Sequence, residues 1–162
     1  MAETGDIDAA VRDSDRDFAL WAMIIQARDI LFKARDNELG QYGITAVEAR
    51  ALFILNLIGD STTPAMISRL MMRGHNTVTA LLTRMEGKGL ISRTKDPEKK
   101  NSWKIGLTDK GNEAYQDSLI RLAIHEIFSV FSKEERELLI ASLQIICNRT
   151  VDYMTEMSTA TH

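Results

Sequence analysis

The sequence has 162 residues, 44% of them apolar, and a net charge of −3. A chain of that length can bury a core without disulfide or metal staples, and its apolar content excludes a disordered tail. The near balance of charge excludes a uniformly basic nucleic-acid binder, so any such reading rests on where the charges fall.

Residues 1–14 are polar and read as a flexible N-terminus. Their acidic run lacks the apolar stretch of a signal peptide. From Asp15 to Glu38 a long helical pattern carries Phe18, Trp21, Ile24, Ile25, Leu31 and Phe32 along or beside one face, and Gly40 and Gly43 stop it. Thr45 with Glu48 has the spacing of a capping box and opens a helix bearing Val47, Ala51, Leu52, Leu55 and Ile58. Thr63 followed by Pro64 starts a short helix with Ile67, Leu70 and Met71 inward. Arg73-Gly74-His75-Asn76 breaks the pattern. The next helix places Val78, Leu81, Leu82 and Met85 on its buried side, and Gly87 and Gly89 close it.

The texture then changes. Residues 90–94 and 103–107 are short and β-competent, separated by a polar, turn-rich stretch, and predict one β-hairpin with a basic tip. Thr108 caps a long helix expected to run to about Phe131. Ser132 with Glu135 forms a second capping box that opens a final helix to about Met154. The predicted order is α-α-α-α-β-β-α-α, a mainly α fold.

Between Thr62 and Ile105 the sequence has nine Lys or Arg against three Asp or Glu, a net of +6, which leaves −9 for the rest of the chain. Concentrating cations in this way suits phosphate neutralisation with counterion release. The two short helices and the tight turn between them form a helix-turn-helix pattern, whose second helix enters the major groove by its N-terminal residues. The candidate recognition residues are Arg73, His75, Asn76, Thr77, Thr79, Ala80, Thr83 and Arg84. Asn pairs with adenine through two hydrogen bonds, and Thr reaches a base edge or the thymine methyl. Thr62 and Thr63, at the start of the first helix of the pair, are candidates for clamping the phosphate backbone. Lys95, Lys99, Lys100, Asn101 and Lys104 on the hairpin add affinity more than discrimination, since lysine is a point charge without the arginine fork.

The stretches GITAVEARALFIL, TVTALLTRMEGKGLISR and DPEKKNSWKIGLTDKG, within the run from Ile44 to Gly111, resemble the MarR family of bacterial and archaeal transcription regulators. The resemblance implies a winged helix-turn-helix with a β-hairpin wing, and a homodimer built from the first and the last two helices. It also implies binding to a palindromic operator on double-stranded DNA, as a repressor released by a small ligand. Lys99 and Asn101 stand where that family usually places an Asp and a minor-groove Arg at the wing tip, leaving Lys99 or Lys100 as substitutes. A ligand pocket lined by Trp21, Ile25, Arg28 and Phe53 also follows from the resemblance, and aromatic rings beside an arginine suit an aromatic or anionic effector.

The terminal helices independently favour a dimer. Phe18, Trp21, Ile24 and Ile25, and likewise Leu138, Leu139, Ile145, Ile146 and Val151, present more apolar surface than a small middle domain covers. The chain therefore divides into the flexible N-terminus 1–14, an N-terminal dimerisation helix 15–44, a DNA-binding region 45–108 and C-terminal dimerisation helices 109–162, one structural domain overall. Cys147, the single cysteine, reads as a small buried hydrophobe and fits a reducing cytosol. No apolar run approaches the ~20 residues of a membrane span, so a cytoplasmic protein is expected. His75, His125 and His162 lie far apart, and no metal-ligand spacing, phosphate loop or catalytic grouping is apparent, so neither cofactor nor metal is expected and an enzyme is not. The alternative is a winged-helix protein-interaction module, which would give no discrete complex with duplex DNA.

Overall fold

The computed structural model describes the backbone of residues 3–95 and 103–160, with side chains for 15–59, 61–95 and 103–160. Seven α-helices and one hairpin are seen among these residues: α1 (Glu3–Gly40), α2 (Ala46–Ile58), α3 (Pro64–Met71), α4 (His75–Gly87), β1 (Ile91–Lys95), β2 (Trp103–Leu107), α5 (Asp109–Ser118), α6 (Leu122–Phe128) and α7 (Lys133–Ala160). A 3-10 turn, Gly59–Ser61, follows α2. The chain divides into two compact units at Arg121–Leu122.

The caps form where their spacing predicts. The Thr45 hydroxyl accepts from Glu48 N at 3.2 Å while the Glu48 carboxylate accepts from Thr45 N at 2.9 Å. Thr63 caps α3 with Pro64 in its first turn, Thr108 accepts from Gly111 N at 3.0 Å, and Ser132 and Glu135 exchange both of their capping bonds. The end of α4 is a Schellman closure. Gly89 sits at φ 73°, Gly89 N donates to Glu86 O, and Leu90 N reaches back to Met85 O at 2.9 Å.

The core of the first unit is assembled from Leu39 and Ile44, Leu52 and Leu55 of α2, Ile67 and Met71 of α3, and Val78, Leu81, Leu82 and Met85 of α4. Leu90, Ile91, Ile105 and Ala114 complete it. β1 and β2 pair antiparallel with Ile91 opposite Leu107 and Lys95 opposite Trp103. Ile105 N also donates to Thr62 O at 2.8 Å, so the root of the hairpin is bonded to the segment that starts α3. Gly111 lets α5 approach that root, since a Cβ there would stand 1.9 Å from the Leu90 carbonyl oxygen.

Four features differ from the sequence expectation. The first helix begins at Glu3, so residues 3–14 continue it. Ala9, Ala10 and Arg12 are good helix formers, and the early acidic residues suit a helix N-terminus. The helix after the hairpin is also shorter, stopping at Ser118 before α6 starts at Leu122. The Arg35 guanidinium of α1 takes the carbonyls of Ser118 and Ile120, which the break leaves without helical partners, and pairs with Glu38. Leu70, expected inward, is 45% exposed, whereas Ile67 and Met71 of the same helix are buried. Cys147 is likewise exposed rather than buried.

In the second unit, neither α6 nor α7 has a buried residue. Leu138, Leu139, Ile140, Leu143, Ile145 and Ile146 are all exposed, so the middle of α7 presents a broad apolar surface. No described helix is long and apolar enough to cross a membrane.

Candidate nucleic-acid interface

The helix-turn-helix is closed by an unexpected residue. Gly74, the glycine of the turn, is extended at φ −60°, ψ 149° and serves as the N-cap of α4. The left-handed position falls on Met72 at φ 51°. Met72 N donates to Arg69 O at 3.1 Å and Arg73 N to Ser68 O at 3.0 Å, the paired bonds of a Schellman end.

With α3 ended there, α4 starts with an open N-terminus. Gly74 offers no side-chain cap and the first turn holds no acidic residue, so the leading N–H groups and the positive end of the helix face outward, a setting that favours phosphate. His75, Asn76, Thr77, Thr79, Ala80 and Thr83 are all exposed, while Val78, Leu81, Leu82 and Met85 are buried. The α4 pattern therefore separates cleanly into a packed face and a polar face able to meet base edges. Arg73 lies half-buried beside its N-terminus.

The other expected residues are placed differently. Thr62 is fully buried, its hydroxyl donates to Gly59 O at 2.7 Å and its carbonyl accepts from Ile105. Its hydroxyl is thus out of reach of a phosphate, and its part is to join the hairpin root to α3. Thr63 is partly exposed, with its hydroxyl accepting from Met66 N at 3.3 Å as the α3 cap. Thr83 Oγ1 accepts from Arg93 Nη2 at 2.9 Å, and Arg93 also pairs with Glu86 at 3.1 Å, which ties β1 to α4. Arg84 points its Nε at Glu48, 2.9 Å away. On the wing, Lys95 is exposed with its ammonium 5.9 Å from the centre of the Trp103 ring, and Lys104 is half-buried on β2. Lys99, Lys100 and Asn101 lie outside the described residues.

Glu48 and Arg93 are the residues that sequence reasoning missed in these roles. Glu48 is fully buried. It accepts from Thr45 N and from Lys88 Nζ, both at 2.9 Å, as well as from Arg84. Burial alone would raise its carboxyl, but the bonds from Lys88, from the Thr45 backbone and from Arg84 outweigh that and hold it below the ordinary glutamate value. The capping-box spacing revealed its local bond, and nothing local revealed the two cations.

The residues expected to line a ligand pocket are more open. Trp21, Ile25 and Phe53 are 57%, 39% and 47% exposed. Trp21 stacks with Phe18, and Arg28 pairs with Asp29 and lies 5.2 Å over the Phe32 ring. A concavity of about 290 Å³ does exist in the first unit, lined by Tyr42, Ile44, Lys88, Lys110, Glu113 and Asp117 among others, and it includes none of the four.

The sequence model described as MarR family matches residues 42–100. The chain is 34% identical over 113 residues to an uncharacterized HTH-type transcriptional regulator, YkoM of Bacillus subtilis (strain 168), covering 68% of this chain and 71% of that one. Among solved structures, the organohalide-sensing regulator RdhR-CbdbA1625 with 2,4-dichlorophenol bound superposes with a TM-score of 0.78 at 26% identity, covering 83% of this chain and 80% of that one. The DNA complex of MepR from S. aureus matches with a TM-score of 0.70 at 28% identity, over 81% of this chain and 96% of the other.

Proposed function

Because the chain belongs to the MarR family of transcriptional regulators, we propose that it is a homodimeric repressor that reads a palindromic operator with α4 and releases it when a small aromatic or anionic molecule binds. The observation that carries this reading is the division of α4. Its polar face is open from an uncapped N-terminus through Ala80, and its apolar face is fully packed. His75, Asn76, Thr77, Thr79 and Ala80 then meet base edges in the major groove, and Arg73 and Thr63 lie near the phosphates. Lys95 and the wing-tip residues Lys99, Lys100 and Asn101 track the flanking backbone, and Lys104 supports them from β2.

The dimer follows from α1 and α7, whose exposed apolar side chains call for a second copy. Two copies related by a two-fold axis would present two recognition helices about one DNA turn apart, ~34–36 Å. Trp21, Ile25, Arg28 and Phe53 form the effector contact, with the second copy helping to enclose it. One structural neighbour holding a chlorophenol and another holding DNA support both halves of the proposal.

Selection of bound duplexes from a random pool tests it. The expected product is an inverted repeat whose half-sites lie about one helical turn apart, with log affinity falling against log salt by about 0.9 per neutralised phosphate. A pool that shows no enriched sequence would sink the proposal.

A further inference from the structure

Glu48 is a buried charge far from the open face of α4, and it sits where three elements converge. One oxygen accepts from Arg84 Nε at 2.9 Å, and the other from Lys88 Nζ and Thr45 N, also at 2.9 Å. Lys88 Nζ donates as well to Gly43 O at 2.9 Å, and the Lys88 carbonyl accepts from Lys110 Nζ at 2.8 Å. The last turn of α4 is thereby fastened to the turn before α2, to α2 itself and to the first turn of α5.

The geometry points to Glu48 as a positioning residue for DNA recognition: it fixes the rotation and tilt of α4, and so the aim of His75, Asn76 and Thr79, without touching DNA. This rests on the reading of α4 as the recognition helix. Apolar packing around Val78, Leu81 and Leu82 holds α4 against the core, but such contacts are non-directional and tolerate small shifts. A carboxylate gripped by two cations one helical turn apart does not. Turning α4 by one residue, about 100°, carries both Arg84 and Lys88 away from the acceptor. The lever is long as well. Arg84 lies nine residues from His75, roughly 14 Å of helix, so a tilt of about 10° at the fastened end moves the reading end by roughly 2–3 Å. That exceeds the tolerance of a hydrogen bond. Only Glu48 is buried, while Arg84 and Lys88 stay partly exposed; burying a paired charge is a poor way to add stability, and its best-attested use is fixing register.

The test uses the full chain carrying Glu48→Gln, which keeps the shape and one acceptor but turns an amide N–H₂ toward donor groups. Affinity is measured for the selected operator and for a random duplex of equal length, over a range of salt. Amide hydrogen exchange of the DNA-free protein is followed alongside. The expected result is at least a tenfold fall in the ratio of specific to random affinity, an unchanged salt slope, and exchange at least tenfold faster across α4. A ratio within twofold of the parent, or unaltered exchange in α4, overturns the inference. A variant that merely loses stability would weaken both duplexes together and keep the ratio. Should Glu48→Gln not fold, Glu48→Asp, which keeps the charge and retracts it by one methylene, is read in the same way. A parent protein that prefers no duplex refutes the proposed function, and the exchange data then decide the role of Glu48 by themselves.

Discussion

Asn76 stands in the first turn of α4 with an exposed carboxamide that has both a donor and an acceptor to offer a base. Asn76→Ala is expected to remove roughly 1–3 kcal/mol of discrimination between the operator and a duplex altered at one position, while leaving the fold intact. Competition titrations with single-site operator variants would read this, and equal loss on every duplex would contradict it. Asn76 and Glu48 also mark what the sequence could reveal. The outward set on α4 was legible because apolar spacing fixes which side is packed. The partners of Glu48 were not, because Arg84 and Lys88 lie 36 and 40 residues away and only folding brings them to it.

At the scale of elements, two joints hold the first unit together. The first is the break between α5 and α6, where Arg35 satisfies the carbonyls of Ser118 and Ile120. Arg35 is only 12% exposed. Arg35→Met leaves these carbonyls and Glu38 without the guanidinium and is expected to cost roughly 3–5 kcal/mol, measured by thermal or urea unfolding. The second joint is the contact of α5 with the hairpin root. Gly111→Ala forces a methyl into the Leu90 carbonyl and should cost at least about 3 kcal/mol, with the loss seen as a lowered unfolding midpoint. The capping signals at Thr45, Thr63, Thr108 and Ser132 were readable because each is a local bond between residues three apart. The α5 break was not readable, since the side chain that satisfies its carbonyls lies more than 80 residues upstream. The turn of the helix pair was legible in position but not in detail. The left-handed residue is Met72, where the two Schellman bonds fall one turn after Ser68 and Arg69, and not the glycine of the turn.

For the whole molecule, α7 sets the terms. Leu139, Leu143 and Ile146 follow one another at helical spacing, each more than a third exposed in the single chain. Leu143→Glu should leave the core of the first unit unaffected, yet placing a carboxylate in the proposed dimer contact is expected to raise the dimer dissociation constant at least ~100-fold. Sedimentation would detect the monomer, and the same variant should lose its preference for a two-half-site duplex over a single half-site. The exposed apolar surface of α7 was legible as a surplus of apolar residues in the terminal helices. The surplus alone did not distinguish α7, which buries nothing within its own unit, from α1, which contributes Leu39 to the core.

If a second copy covers α6 and α7, as proposed, the protein's supply becomes part of its control. Helices that gain their burial from a second copy are stabilised by mass action, so their apparent melting point climbs with concentration. Below the dimer threshold, occupancy of the operator grows with the square of the protomer concentration, and a cell that halves its stock of the protein frees roughly three-quarters of the sites it had held at low occupancy. A modest change in synthesis or turnover would then move gene output sharply, even with no effector present.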